Sequence, residues 1–450
     1  MINYLELAKE VVKRAANGVE AEVIITRGSE THIRVSQGEV EQMSQSGARG
    51  MGVRIIDGGR TGYAYTSDFS DDSIEKTWRT AVELAKVATP DPYRALPDPR
   101  PIPDEDLDIW DKKLPAVTTQ DKIAFLRRVE QAALDYDPRV IVTQWCTYED
   151  TVEHVHLANS RGFAGEYGRT VVASFLIGVA RGDDGVMTNA FGLGVSNFYD
   201  DLDPEAIGRE AGEKSVSLLG GKPVPTQVGT VVLDPIVGGQ VLTALASALS
   251  AEAWQKKRSF LLDKMGQQVG SDMVTLMDNG RLKRGLASAP FDGEGVPTSA
   301  TRLIDEGVLQ NLIYDSYSAR KAGVASTGNA QRNGHRSVPS LGPSNFYMQP
   351  GSASREEIIA GVEKGLYVLS VMQTGGIDPV TGDCSMGANG LWIENGKIVG
   401  PVGGVTIATT LNDFLMNITQ VGSDLRMIPF FGNIGVPTLR VDNVTIGGVN

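Results

Sequence analysis

The sequence has few of the residues that proteins use to hold metals or to form cross-links. Its 450 residues include four histidines and two cysteines, Cys146 and Cys384, which lie far apart and form no CxxC arrangement. We therefore expect neither a disulfide framework nor a cysteine zinc site. HExxH and HExxxH are also absent, which excludes the usual helical zinc site of metalloproteases.

The chain also lacks an excess of positive charge and any long apolar run. Lys and Arg total 42 against 55 for Asp and Glu, a net charge of −13, so we expect no binding of nucleic acid or anionic lipid. No apolar run approaches the ~18 residues that span a bilayer. The charged first residues, MINYLELAKEVVKRAANG, do not resemble a signal peptide. These features predict a cytoplasmic protein with no membrane partner.

Motifs for nucleotides and for a serine nucleophile are missing too. No GxxxxGK[ST] loop occurs, and no GxGxxG follows a strand and opens a helix. The stretch DCSMG around Ser385 has Asp383 where a GxSxG motif requires glycine. We therefore predict no cofactor.

Along the chain, the spacing of apolar residues switches between the period of a helix and the period of a strand. Most segments outside the helices alternate apolar and polar side chains, and Asp-Gly-Gly at 57–59, Asp-Glu-Gly at 305–307 and Glu-Asn-Gly at 394–396 predict hairpin turns. Helical spacing occurs at residues 3–17, 71–88, 118–136, 203–219, 235–257, 353–362 and 411–418.

Two proline-bearing stretches divide the chain. Residues 89–115 contain seven prolines and predict an extended, exposed arm, and KPVPTQ at 222–227 predicts a short joint. We expect an α+β fold of two domains. Residues 1–221 would form an N-terminal antiparallel sheet with flanking helices, and residues 228–450 a strand-rich domain with few helices.

Three groups of side chains could carry chemistry, but each has a simpler structural explanation. His154 and His156 lie on one face of a predicted strand and could supply two metal ligands, although two half-exposed strand residues are the favoured interpretation. Cys384 in TGDCSMGANG could be a nucleophile, but a lone cysteine is more often a small buried apolar residue. Turn formation better explains a group of four carboxylates, Asp292, Glu294, Asp305 and Glu306.

An ordered series of phrases fills the C-terminal half: GTVVLDP, SFLLDKMGQQVGSDMVTLMDNG, FDGEGVPT, LIDEGVLQNLIYDSYSARKAGVASTGNAQR, TGDCSMGANGLWIENGKIVGPV and LNDFLMNITQVGSDL. Together they resemble the TldD/PmbA family, once named modulators of DNA gyrase. The N-terminal stretch ETHIRVSQGEVEQMSQSGARGMGVRIIDGGRTGYAYTS is similar to the first block of that family. The resemblance therefore spans nearly the whole chain.

The resemblance implies two subunit types that assemble into a hollow heterodimer, a zinc metalloprotease acting on unfolded or small peptides. In the TldD type, HExxxH and a cysteine near the C-terminus hold zinc, and the glutamate activates its water. With the helix registered on Ser259, the two histidine positions fall on Leu242 and Ser247, and the glutamate position falls on Thr243. The segment MIPFFGNIGVPTLRV has no cysteine. The resemblance is thus to the metal-free PmbA (TldE) type.

Three hypotheses for the function follow. In the first, the chain is a non-catalytic PmbA/TldE-like subunit that completes the chamber of a TldD-type zinc protease and holds extended peptide by strand addition. Alone, it would form a homodimer, because related subunits share interface geometry. The second is a stand-alone hydrolase using Cys384 or the pair His154 and His156. The third is a homodimeric peptide-binding or scaffold protein that needs no partner.

The first hypothesis places the peptide contacts in two glycine-bearing segments. One is the polar stretch at 326–345, STGNAQRNGHRSVPSLGPSN, since loops of about 20 residues inside compact domains are commonly functional. The other is TGDCSMGANG. The expected contact residues are Ser326, Thr327, Asn329, Arg332, Asp383, Ser385 and Asn389.

Overall fold

The computed structural model describes residues 2–16, 18–372, 376–429 and 432–449. Its helices are α1 (Tyr4–Val12), α2 (Asp71–Val87), α3 (Thr119–Leu134), α4 (Pro204–Ser217), α5 (Pro235–Ala248), α6 (Ala251–Gln255), α7 (Ser316–Ala322), α8 (Arg355–Ala360) and α9 (Leu411–Met416). Its first ten strands are β1 (Val19–Ser36), β2 (Glu39–Asp57), β3 (Arg60–Thr66), β4 (Val140–Asn159), β5 (Ala164–Arg181), β6 (Met187–Ser196), β7 (Gln227–Leu233), β8 (Leu276–Asn279), β9 (Ala300–Asp305) and β10 (Val308–Leu309). The remaining strands are β11 (Ala330–Gln331), β12 (Ser340–Leu341), β13 (Phe346–Met348), β14 (Lys364–Met372), β15 (Asp383–Glu394), β16 (Lys397–Thr410), β17 (Ile418–Val421), β18 (Arg426–Ile428), β19 (Ile434–Val436) and β20 (Leu439–Gly447).

The first six strands form one antiparallel sheet in the order β3-β2-β1-β4-β5-β6. Side chains alternate between its faces, so Val23 and Ile25 of β1 pack with α1 and α2, and Ile33 and Val35 pack with residues of α3 and α4. The other face, near Ile24, packs against Phe291 from the C-terminal half. The prediction of an N-terminal antiparallel sheet with flanking helices is confirmed.

The C-terminal half is rich in strands, also as predicted. Strands β7, β14, β15, β16 and β20 close into a barrel, because β16 pairs with both β15 and β20. A second sheet has the order β10-β9-β8-β13-β19-β18. One hydrophobic core joins these parts and takes in most of α5. All three predicted hairpins form, as β2/β3, β9/β10 and β15/β16.

The helix predicted at 235–257 is interrupted, which corrects the expectation of one continuous element. Helix α5 ends at Ala248. Ser250 then accepts a hydrogen bond from the Ala253 amide at 3.2 Å and caps the short helix α6. A serine hydroxyl that satisfies a first-turn amide favours a new helix start over continuation.

Helix α7 was not predicted. The Asp315 side chain accepts from the Ser318 amide at 2.8 Å, and Gly323 ends the helix with a φ of 70°. Seven residues are too few to display an apolar stripe, so only the capping residues could have indicated this helix.

The proline-rich arm is extended, but parts of it are buried, which corrects the expectation that it is exposed. Leu96, Leu107 and Leu114 are buried. The Arg284 amide donates to the Leu107 carbonyl at 2.8 Å, and the Thr170 amide donates to the Ile109 carbonyl at 2.9 Å. Apolar residues between the prolines let the arm pack between the N-terminal sheet and the C-terminal half.

The stretch 326–345 also contains more structure than a loop, since β11, β12 and a helical turn at Gly334–Arg336 lie within it. The domain division between residues 221 and 228 stays a prediction. In the described part of the chain, no helix combines the length and the apolar character needed to cross a membrane.

Candidate functional site

Helix α5 starts at a charged cap. Asp234 accepts from the Ile236 amide at 3.1 Å, and its other oxygen lies 2.8 Å from Nζ of Lys214. Pro235 occupies the first helical turn, where its missing amide hydrogen is not needed. These contacts set the direction in which the helix enters the C-terminal core.

The two sides of α5 differ sharply. Val241, Leu242 and Leu245 are 0% exposed in the core. Leu249, which follows the helix, is also buried, so Val241, Leu245 and Leu249 form one apolar stripe packed in the core. The other side faces a cleft of about 500 Å³, which we call the α5 cleft. Its wall includes Thr243, Ala246, Ser247, Ser250, Ile313, Leu341 and Ile434.

The residues at the implied ligand positions do not fit zinc. Leu242 offers only hydrocarbon. The Thr243 hydroxyl donates to the Gly239 carbonyl at 2.8 Å, and the Ser247 hydroxyl donates to the Thr243 carbonyl at 3.2 Å, so both protons are already engaged with the helix backbone. Zinc sites in proteins are built from imidazole, thiolate and carboxylate groups.

The rest of the described chain supplies no replacement. Among residues 2–16, 18–372, 376–429 and 432–449, no three His, Cys, Asp or Glu side chains are grouped so that they could hold a metal ion. The segment MIPFFGNIGVPTLRV, where the family resemblance implies a cysteine, includes Phe430 and Phe431, which lie outside the described residues.

The wall of the α5 cleft also includes charged side chains. Lys256 forms an ion pair with Glu252, and Arg258 is exposed, with no hydrogen bond or ion pair from its guanidinium to any described residue. The hydroxyl oxygens of Thr243, Ser247 and Ser250 can still accept from the amides of a peptide main chain, and Arg258 can pair with a carboxylate. No local sequence signal marks these charged residues as part of a site, because KKR beside a helix is an ordinary surface pattern.

Three of the predicted peptide contacts are brought together in a hydrogen-bonded chain. Ser326 donates to the Tyr314 carbonyl at 3.1 Å, and Thr327 donates to the side-chain oxygen of Asn329 at 2.6 Å. Asn329 is 1% exposed and donates to Asp278 at 2.6 Å. Burial raises the pKa of Asp278.

Arg332, the fourth predicted contact in this stretch, lies in a separate buried network. It forms an ion pair with Glu22 of β1 and donates to the Gly293 carbonyl at 2.6 Å. Glu22 is 2.8 Å from Arg54, which is 3.1 Å from Glu294. The network therefore joins the N-terminal sheet to two C-terminal segments.

A small cavity of about 50 Å³ lies beside this network, lined by Arg332 and Asp292 among others. Burial and the negative charge of Glu294 raise the pKa of Asp292 to about 8. Burial opposes ionisation of Glu294 too, but the charge of Arg54 and the Ser316 amide outweigh it and lower its pKa. By contrast, Asp305 and Glu306 lie at the β9/β10 hairpin, as the turn interpretation predicted.

The last three predicted contacts lie together on β15, away from this network. Asp383 and Ser385 are exposed, and the Thr381 hydroxyl donates to Asp383 at 2.8 Å. Asn389 accepts from the Gly404 amide at 3.2 Å. In the described part of the chain, no hydrogen bond or ion pair joins them to the four contacts predicted at 326–332.

His154, His156 and Cys384, the other candidates for chemistry, have the surroundings expected of structural residues. His156 is 2.8 Å from Glu166, and the ring centre of His154 is 4.8 Å from that of Trp110. Burial lowers the pKa of both histidines. Cys384 is buried, which raises the pKa of its thiol to about 11. A thiol with so high a pKa is a poor nucleophile.

Comparison with known proteins shows where this architecture belongs. Three family models match in order: PmbA/TldA metallopeptidase domain 1 at residues 21–85, the central domain at 112–219 and the C-terminal domain at 226–448. The metalloprotease PmbA of Escherichia coli O157:H7 is 31% identical over 447 residues, covering 97% of this chain and 96% of that protein. This chain belongs to the PmbA/TldD family.

Proteins named PmbA and proteins named TldD are both among its relatives. A metalloprotease TldD homologue of Haemophilus influenzae is 26% identical over 429 residues, covering 89% of this chain and 87% of that protein. A solved structure from Thermotoga maritima, described as a candidate modulator of a DNA gyrase, has a TM-score of 0.90 and 26% identity, covering 99% of this chain and 100% of that one. The chain is thus a homologue of family metalloproteases over nearly its whole length.

Proposed function

We propose that this chain is a non-catalytic, PmbA/TldE-like subunit of a TldD/TldE-type zinc metalloprotease that processes small or unfolded peptides in the cytoplasm. One observation carries the proposal. The helix on which the family resemblance places the catalytic residues has a buried leucine at position 242, and its Thr243 and Ser247 hydroxyls are bonded to the helix backbone.

The chain's own contribution is to bind and position peptide. The α5 cleft is lined by hydroxyl groups, whose oxygens can accept from peptide amides, and by Arg258, whose guanidinium bonds to none of the described residues, so it suits the main chain of a peptide and a negative group. The seven predicted contact residues remain part of this proposal. Of these, Asp383 and Ser385 are the most informative to test, because they are exposed and can be changed without emptying a buried site.

The decisive experiment compares the chain alone with the chain mixed with a TldD-type subunit. We expect the lone chain to contain no stoichiometric zinc by elemental analysis and to leave an unfolded peptide intact. The mixture should cleave the peptide, with all activity lost on chelation. Stoichiometric zinc and chelator-sensitive cleavage by the lone chain would instead establish the stand-alone hydrolase.

Peptide contact is tested separately in the mixture. We expect Asp383→Asn and Ser385→Ala to raise the KM for the unfolded peptide while leaving the unfolding midpoint unchanged. Alanine at the buried Asn329 or Arg332 should lower stability as well, so these variants are interpreted only beside an unfolding curve. Unchanged kinetics in all four variants would remove these residues from the proposal.

A further inference from the structure

Strand β2 projects beyond the rest of its sheet. Residues 39–49 are exposed on both faces, whereas residues 50–56 are buried. On one side this segment pairs with β1, but β3 pairs only with Met51–Asp57. No strand of the described residues covers the other edge between Glu39 and Gly50.

This edge lacks the features that normally prevent strand pairing. Natural sheets protect exposed edges with charges, prolines or bulges. Here a bulge opposite Arg34 and Val35 protects only the start of the segment. From Gln42 to Ala48 the sequence is QMSQSGA, with no charge and no proline, and Met43 is 54% exposed. Seven residues therefore present an unprotected edge to solvent.

The charges at the two ends of the segment indicate what pairs with it. Glu39 and Glu41 lie at one end and Arg49 at the other. Glu41 is 3.8 Å from Arg34 and Glu39 is 3.9 Å from Arg127, but exposed pairs of this kind are weak. Antiparallel pairing of the edge with its own copy brings the acidic end of each strand to the basic end of the other, at both ends simultaneously. Parallel pairing would place like charges together.

We propose that the edge of β2 between Gln42 and Ala48 pairs with the same edge of a second copy of this chain, antiparallel about a two-fold axis near Ser44 and Gln45. Two six-stranded sheets thereby become one continuous sheet. Such an interface is isologous, the commonest arrangement in soluble oligomers. The inference deepens the proposed function by naming the surface through which the chain associates when no TldD-type subunit is present.

The test uses the full chain and two substitutions on the edge. We expect wild-type protein to be dimeric in analytical ultracentrifugation, with a concentration-dependent dissociation. Gln45→Lys places like charges at the two-fold axis and should abolish the dimer, as should Ser44→Pro, which removes a main-chain donor. Val87→Lys is the matched control, because Val87 is 83% exposed on α2, away from the edge.

Cysteine cross-linking then locates the axis. Cys146 and Cys384 are both buried, so an added surface thiol reacts alone. We expect Ser44→Cys or Gln45→Cys to form a disulfide-linked dimer under mild oxidation, and Val87→Cys to form none. A wild-type chain that is monomeric, or a dimer that survives Gln45→Lys and gives no cross-link at either position, would overturn the proposal.

Two further results would also overturn it and assign the edge to another occupant. In one, thiol labelling at Gln45→Cys is blocked only after an unfolded peptide is added. In the other, thiol labelling at Gln45→Cys is blocked only after a TldD-type subunit is added. Proteolysis in the presence of a TldD-type subunit is also measured for Gln45→Lys, because this separates the present inference from the proposed function. A variant that no longer self-associates but still supports proteolysis leaves the proposed subunit role intact.

Discussion

Arg54 and Glu294 form a buried ion pair across 240 residues of sequence, with 3.1 Å between Nη1 and Oε1. Both side chains are 5% exposed, and Arg54 also contacts Glu22 at 2.8 Å. The pair connects β2 to the segment that follows Phe291. Burying such charges costs solvation energy, so each charge depends on its partner, and removing one partner leaves an uncompensated buried charge.

Arg54→Ala should therefore lower the free energy of unfolding by about 3–5 kcal/mol, because it leaves two carboxylates buried beside an empty site. Urea unfolding curves measure the loss. Arg79→Ala is the control, since Arg79 pairs with Glu75 at 2.6 Å but is 77% exposed, and an exposed pair contributes about 0–1 kcal/mol. Equal losses in the two variants would contradict the buried network.

Asp292 should make stability fall as pH rises. Its pKa in the folded chain is about 8, above its ordinary value of 3.8, so the folded state binds the extra proton between these pH values. The stabilisation from this proton is complete below the pKa of Asp292 in the unfolded chain, and it is lost as pH rises through the pKa of Asp292 in the folded chain.

Asp292→Asn should remove this dependence. We expect the wild-type free energy of unfolding to decrease relative to the variant by up to about 1.4 kcal/mol per pH unit between pH 5 and 8. The variant also loses the bond accepted from the Ala330 amide at 3.0 Å, but that cost does not vary with pH. Parallel pH profiles of the two proteins, from urea midpoints, would show that Asp292 does not carry the proton.

The two sides of α5 should respond differently to truncation. Leu242→Ala opens a cavity in the core and should cost about 2–5 kcal/mol. Ser247→Ala, on the cleft side, should change stability by no more than about 0.5 kcal/mol. Chemical denaturation of both variants measures the difference. A mild effect of Leu242→Ala would mean that the core does not close around this position.

Both thiols should be inert in the folded chain. Burial raises the pKa of Cys384 to about 11, and it raises the pKa of Cys146 as well. We expect iodoacetamide at pH 8 to label neither residue until urea unfolds the chain, as read by intact mass. Rapid labelling of Cys384 in native protein would restore the cysteine hydrolase as a candidate.

Much of the fold could be predicted because its signals are local. Asp57-Gly58-Gly59 specified a hairpin, and Thr118 with Asp121 forms a capping box at the start of α3. Such signals act over a few residues. The split of α5 from α6 and the burial of Leu107 were not predicted, since a serine cap inside a helical pattern and an apolar residue between prolines are decided by their neighbours in space.

In the candidate site, too, some features follow from the sequence alone and others from the tertiary structure. The sequence alone determined that Leu242, Thr243 and Ser247 stand where the family resemblance implies a zinc-binding helix, because side-chain chemistry follows from residue identity. Only the tertiary structure decided that Arg332 meets Glu22, that Asn329 meets Asp278, and that Asp383 and Ser385 remain exposed. Those partners are 310 and 51 residues apart along the chain. Whether a polar side chain is buried depends on which distant segments pack against it, and no local pattern encodes that packing.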